Sequence, residues 1–296
     1  MNRDLFDIDE SLHLSDGRHL AYRVYGWASG EPVYFFHGFP GSRLQAAMLH
    51  GPATRAGVAL VTFDRPGFGR SDPADAPSVD CVIPDVADLA DHLGHRRFAV
   101  VGASCGGPYA LATARLMPHR VSAVGLLAGM GPMNRPELRT GQLPLLRALF
   151  GLARWHPSLA SPLLALDWML FRGNPDRAVR ALSSMLTAPD RLLLDSDALV
   201  RHAFAADLAE AYRQGIAGAM AEARRIACHA APSLRGIEAP VHVFQGGHDR
   251  HVPPAMGRFM AERLPRGQLH DFADEGHLSV AVNRFDECLR AVLARP

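Results

Sequence analysis

The chain of 296 residues contains no lysine: all 31 of its lysine-plus-arginine positions are arginine. This reads as codon bias and carries no functional meaning. Cysteine is scarce. The four present (Cys81, Cys105, Cys228, Cys288) are scattered, with no C-x-x-C pair. That spacing argues against a disulfide frame or a zinc site and suits a reducing compartment. Excess charge is also lacking. A formal net charge of +1 gives no electrostatic ground for binding nucleic acid or an anionic membrane. No apolar run approaches the ~18–20 residues of a membrane span. The first residues, Met1 to Asp7, are too acidic and interrupted for a signal peptide. A soluble, cytoplasmic protein with no nucleic-acid partner and no membrane span is therefore expected. Repeats and low-complexity tails are missing too.

What is present is an alternation of strand and helix signals. Residues 10–16 and 18–26 flank Asp16-Gly17, a hairpin turn signal. Val33-Tyr34-Phe35-Phe36 is a continuous apolar run, as expected of a strand buried on both faces, and it ends in His37-Gly38-Phe39-Pro40-Gly41-Ser42. A second run, 58–63, ends in Asp64-Arg65-Pro66-Gly67-Phe68-Gly69-Arg70-Ser71. Ile83, Val86, Ala90 and Leu93 share a helical face. Pro84 fits only near the first turn, so that helix starts close to residue 82. A strand over 98–102, a helix through Met117 and a buried strand over 121–127 follow.

The texture changes at Gly131. From there to residue 232 the chain is rich in Leu, Ala, Arg and Pro, with helical spacing and no clear strand. Asn174-Pro175 reads as an N-cap and first helical position, with Val179, Leu182 and Leu186 on one face. Ser196 is expected to cap a longer helix carrying Val200, Phe204, Leu208 and Tyr212, ended by Gly215. The α/β pattern then resumes. A strand at 241–244 ends in Gln245-Gly246-Gly247-His248-Asp249, and Met256, Phe259, Met260 and Leu264 mark a helix. Residues 268–272 form a last strand, and Leu278, Val282, Phe285, Leu289 and Leu293 make a final amphipathic helix. Alternating β and α predicts a mainly parallel, doubly wound sheet, whose ligands bind beyond the carboxyl ends of the strands.

The chemistry gathers at those ends. Gly102-Ala103-Ser104-Cys105-Gly106 is G-x-S-x-G between a strand and a helix. The small residues let strand and helix approach closely while the serine takes a strained backbone that holds its hydroxyl clear of the sheet. Serine needs a base to take its proton, and the base needs an orienting group. Asp249 and His277 follow later strands, which gives the chain order Ser…Asp…His. Oxyanion donors are expected from the backbone N–H of Cys105 and of Phe39.

These blocks, with Gly276-His277, resemble the cap-domain serine hydrolases of the α/β-hydrolase fold over residues ~10–130 and ~235–294. The resemblance implies a core domain at 1–130 and 233–296. It also implies an all-helical cap, or lid, at 131–232, inserted after the sixth strand. It implies a Ser104–His277–Asp249 triad acting through an acyl-enzyme on a small to medium, hydrophobic ester, thioester or lactone, with no cofactor and no metal. Carbon–carbon bond hydrolysis, perhydrolysis, acyl transfer and slow-turnover ligand reception would use the same triad. Serine in the nucleophile slot argues against the aspartate chemistry of haloalkane dehalogenases and epoxide hydrolases.

Other residues receive structural readings. His37 shapes the oxyanion loop, 64–71 is a turn beside it, and Cys105 is a small buried hydrophobe. His248, Asp249 and His251 match no zinc spacing. Asp274 and Glu275 are expected on a solvated turn. Glu137, Asp167, Asp207, Glu210 and Glu222 are expected mostly to face solvent. Trp155, Trp168, Met169, Phe171 and Met185 read equally as pocket wall or as the helical segment's own core.

Overall fold

The apolar runs of the first half become adjacent strands. In the computed structural model, which describes residues 10–182, 186–228 and 234–294, eight strands form one sheet. They are β1 (Glu10–His13), β2 (His19–Gly26), β3 (Glu31–Phe36), β4 (Val58–Phe63), β5 (Phe98–Ala103), β6 (Val121–Leu127), β7 (Val241–Gly246) and β8 (Gly267–Phe272). Met1 to Asp7, Met185 and the expected boundary at 232/233 lie outside the described residues.

The order across the sheet is β1-β2-β4-β3-β5-β6-β7-β8. Strands β3 to β8 pair in parallel, while β2 runs antiparallel to β4 and to β1. The order reverses at β3: the chain steps to β4 on one side and then crosses to β5 on the other. A crevice opens at such a switch point beyond the carboxyl ends of the strands. β4, β5 and β7 are buried along their whole length because helices cover both faces. β8, at the edge, alternates between half-buried and exposed positions and is correspondingly more polar.

The helices are α1 (His50–Arg55), α2 (Ile83–His92), α3 (Gly107–Leu116), α4 (Pro144–Trp155), α5 (Ser161–Gly173), α6 (Pro175–Leu182), α7 (Ala188–Ser196), α8 (Ala198–Ala211), α9 (Ala217–Cys228), α10 (Pro254–Arg263), α11 (His277–Asn283) and α12 (Phe285–Leu293). Pro84 stands in the first turn of α2, as its missing N–H requires. Among the described residues between β6 and β7 there is no strand, and helices α4 to α9 fill that segment.

Two details differ from the sequence expectations. Ser196 ends α7 instead of capping the next helix. Asp197 is the cap of α8, its Oδ1 accepting from the N–H groups of Leu199 (2.9 Å) and Val200 (3.0 Å). A carboxylate is the stronger acceptor, and it sits one residue nearer the helical run. The expected single terminal helix is broken at Arg284 into α11 and α12, although its apolar face continues through Val280, Phe285, Cys288, Leu289 and Val292.

Candidate functional site

The serine turn shows why its neighbours are glycines. Ser104 has φ of 50°, in the left-handed region that side chains rarely adopt. It follows β5 directly, at the head of a 3-10 turn (Ser104–Gly106) that runs into α3. A Cβ on Gly102 would lie 2.5 Å from the Gly106 carbonyl oxygen, and one on Gly106 would overlap the carbonyl of Phe36. Strand, turn and helix therefore meet backbone to backbone, and the Ser104 side chain is turned toward the crevice, where it lines a cavity.

Asp249 lies on the loop after β7 and is buried. Its Oδ1 accepts from the backbone N–H groups of His251 and Val252, each at 2.8 Å, which fixes the carboxylate's orientation. Its Oδ2 accepts from His277 Nδ1 at 2.7 Å. An ionised carboxylate only accepts, so the Nδ1 proton sits on this bond and Nε2 is left free. Burial works to lower the His277 pKa. The charge and hydrogen bond of Asp249, with the charge of Asp190, outweigh it and raise the pKa.

Ser104, His277, Phe39 and Cys105 all border one cavity of about 440 Å³, and Asp249 stands behind His277. The wall opposite the sheet is Leu149, Phe150, Leu164, Phe171, Val179 and Phe204, from the helices between β6 and β7. Among the described residues, no arginine lines the cavity. Asp167 lines it as well; burial raises the pKa of this carboxyl, and Tyr212 Oη donates to it at 2.6 Å.

In sequence His251 reads only as a member of the His248-Asp249-His251 group; in the structure it lies against His277. Its ring stacks on that of His277, centroids 4.6 Å apart at 21°. Burial and the neighbouring His277 push its pKa down to about 4 despite Asp249 and Asp190, so it is neutral at ordinary pH. Its Nδ1 is buried without a hydrogen-bond partner. Asp249, His251 and His277 bring donor atoms within 4.8 Å of one another, close enough for one metal ion. Near-parallel rings do not converge their lone pairs on one point, however, and both Asp249 oxygens are already engaged.

His37 is fully buried, with Nδ1 2.9 Å from the Gly38 carbonyl and Nε2 accepting from the Arg65 N–H at 3.2 Å. Burial and the Arg65 charge hold its pKa well below the usual value. It is a neutral strut of the loop that carries Phe39. Burial pushes the Cys105 thiol far up, so it behaves as an apolar side chain.

The acidic residues depart most from expectation. Asp207, Glu210 and Glu222 do not face solvent; all three are buried. Asp207 accepts from Ser42 N at 2.6 Å, Ser42 Oγ at 2.9 Å and Gln45 Nε2 at 2.8 Å. Gln45 Oε1 in turn accepts from Gly38 N at 2.7 Å, one residue before Phe39. Glu210 pairs with Arg43 at 2.8 Å. Glu275 is buried too, held by Arg284 at 3.0 Å and Asn283 at 3.1 Å. Asp207, Glu210 and Glu222 each meet a donor on a distant element, information that helical periodicity does not carry. Of the aromatic and methionine set, Phe171 is buried on the cavity wall and Trp168 packs on the core. Trp155 is 82% exposed and Met169 67% exposed, so neither belongs to pocket or core.

A family model of the α/β-hydrolase fold matches residues 31–283, and the chain belongs to that family. It is 34% identical over 189 residues, 59% of its length, to the dihydrolipoyllysine-residue acetyltransferase component of the acetoin cleaving system of Pseudomonas putida, and spans half (50%) of that protein. It is 24% identical to a 2-hydroxy-6-oxononadienedioate/2-hydroxy-6-oxononatrienedioate hydrolase of Pseudomonas sp., covering 98% of this chain and 94% of the relative. Among solved structures, an esterase from Rhodococcus sp. ECU1013 superposes with a TM-score of 0.67 at 19% identity, covering 96% of this chain and 97% of that one. At that identity the likeness speaks for the fold. Among the described residues, no helix is long and apolar enough to cross a membrane.

Proposed function

We propose that this member of the α/β-hydrolase fold family is a serine hydrolase that cleaves carboxylic esters, or related thioesters and lactones, with a small to medium apolar acyl group. One observation carries the reading: the Asp249–His277 hydrogen bond of 2.7 Å stands at an apolar cavity that Ser104 also lines. In this reading residues 1–130 and 233–296 are the core domain and 131–232 the cap. The four free thiols favour a reducing, cytoplasmic setting.

Ser104 Oγ attacks the carbonyl carbon while His277 Nε2 takes its proton. Asp249 holds the imidazole in the tautomer that leaves Nε2 available and stabilises the imidazolium. The negative charge collects on the carbonyl oxygen, where the backbone N–H groups of Phe39 and Cys105 receive it. Each such donor contributes about 3–4 kcal/mol to the transition state. The bond to the leaving oxygen or sulfur breaks, and that atom takes the proton from His277. Water then attacks the acyl-enzyme, again losing a proton to His277, and Ser104 departs with that proton as the acid is released. Every proton and electron pair in the scheme is carried by Ser104, His277, water and substrate.

The same groups serve carbon–carbon bond hydrolysis, and the Pseudomonas sp. relative is named as a hydrolase of a dienedioate. A dienedioate carries two carboxylates, and among the described residues no arginine lines this cavity to receive them. The ester reading is therefore favoured. The test is turnover of p-nitrophenyl esters of increasing acyl length by the intact chain and by Ser104→Ala. The expected result is a peak at one chain length and a loss of about a thousandfold or more in kcat for the variant. Unchanged turnover in Ser104→Ala would sink the reading. Turnover slower than about one per minute on every ester would favour a ligand receptor, since enzymes commonly turn over at 1–10³ per second.

A further inference from the structure

The helix that begins with His277 is capped from another part of the chain. Asp190, on α7, is buried to 1% exposure, yet it belongs to the helices between β6 and β7. Its Oδ2 accepts from the backbone N–H of His277 at 3.1 Å. Its Oδ1 accepts from Leu278 N and Ser279 N, both at 2.9 Å. Thr187 Oγ1, one turn earlier, donates to Oδ2 at 2.8 Å and holds the carboxylate in place. Three N–H groups at the start of α11 thus find their acceptor on one distant side chain, where helices normally use a residue of their own. The residue before His277 accommodates this approach: a Cβ on Gly276 would lie 2.5 Å from both Asp190 Oδ1 and Thr187 Oγ1.

We propose that Asp190 is a positioning residue for His277, fixing the backbone from which the imidazole reaches Ser104 and adding a second negative charge beside Asp249. The inference rests on the serine-hydrolase reading for its catalytic consequence, but the His277–Asp190 relationship itself does not. Three groups face His277: Asp249 from the loop after β7, His251 stacked on its ring, and Asp190 from α7. His251 is neutral and Asp249 is hydrogen-bonded to the ring, so Asp190 is the second anion, and its charge adds to that of Asp249 in raising the His277 pKa. A helix outside the core sheet thereby helps set the protonation and the aim of a side chain on the core.

The test uses Asp190→Asn in the full chain. Asparagine keeps an oxygen for Leu278 and Ser279 but removes the charge and presents an N–H₂ to the His277 N–H. The His277 imidazole is titrated by NMR without substrate, with His277→Asn used to assign its signal. The midpoint is expected to fall by about half a pH unit or more, the direction required when a nearby anion is removed. With the best ester, kcat is expected to fall roughly tenfold or more with KM within about threefold, as for a misplaced catalytic group. A midpoint and a kcat both left at the wild-type values would overturn the proposal. Absence of ester turnover in the wild-type chain would instead count against the proposed function and leave the NMR readout intact. Should Asp190→Asn fail to fold, Thr187→Val keeps the charge and loosens the carboxylate. Its kcat is expected to fall severalfold with the His277 midpoint held, and an unchanged kcat there overturns the positioning role.

Discussion

Arg65 and Glu222 form a buried two-point ion pair, Nε to Oε2 at 2.8 Å and Nη2 to Oε1 at 2.5 Å. The pair joins the loop after β4 to α9, more than 150 residues later in the chain. The same guanidinium donates to the carbonyls of His37 and Gly38, the latter at 2.9 Å, and lies over the Tyr109 ring. One arginine thus ties the loop carrying Phe39 to α9, in the helical segment between β6 and β7.

Removing one partner of this pair leaves an uncompensated buried charge. Glu222→Leu is expected to lower unfolding stability by about 3–5 kcal/mol in urea titrations. In an Arg65→Met background the same substitution is expected to cost less than half as much, because no buried cation then remains to be stranded. Equal costs in the two backgrounds would show that the pair contributes no coupling.

The pH profile of kcat/KM follows from His277. The base acts only when unprotonated, and Asp249 and Asp190 overcome burial to raise its pKa above the ordinary 6.5. Activity is therefore expected to fall as pH drops through a midpoint above 6.5, and to reach a plateau on the alkaline side. His251, already neutral down to about pH 4, adds no limb in that range. An acid limb centred below 6 would contradict this assignment.

Asp167 lines the cavity beside apolar residues of α4 and α5, and it accepts from Tyr212 Oη at 2.6 Å. Replacing both at once with Leu and Phe leaves no orphaned donor, so stability is expected to stay within about 1 kcal/mol. Apolar acyl chains then no longer meet the Asp167 carboxyl, and KM for longer alkanoate esters is expected to fall severalfold in steady-state assays. Asp167→Leu alone strands the Tyr212 hydroxyl and is expected to be less stable than the pair by about 1–3 kcal/mol.

Much of the architecture is legible in the sequence. Val33–Phe36, Val58–Phe63 and Val121–Leu127 read as buried strands because a parallel sheet covered on both faces demands continuous apolar runs. Gly102 and Gly106 around Ser104 read as a close strand–helix turn because only glycine tolerates backbone at that distance. Pro84 marked the start of α2 by local chemistry alone. Sequence alone places the cap of α8 one residue early, because Ser196 and Asp197 are both good caps and the choice depends on where α7 ends.

By itself, then, the sequence determined the sheet and its alternation with helices, and it brought forward Ser104, Asp249, His277, Phe39 and Cys105 as the residues to examine. All of these rest on short-range rules: burial pattern, turn geometry and the order of residue types along the chain. Only the tertiary structure decided what Asp190, Asp207, Glu210 and Glu222 do. In sequence they are acids on amphipathic helices, and such acids usually face water. Their partners His277, Ser42, Arg43 and Arg65 lie between 87 and 167 residues away. A carboxylate becomes a cap, a strut or an ion-pair partner only when folding removes it from water and leaves a specific donor to replace the lost hydration. That donor belongs to a different element of the chain, which is why its identity waits for the fold.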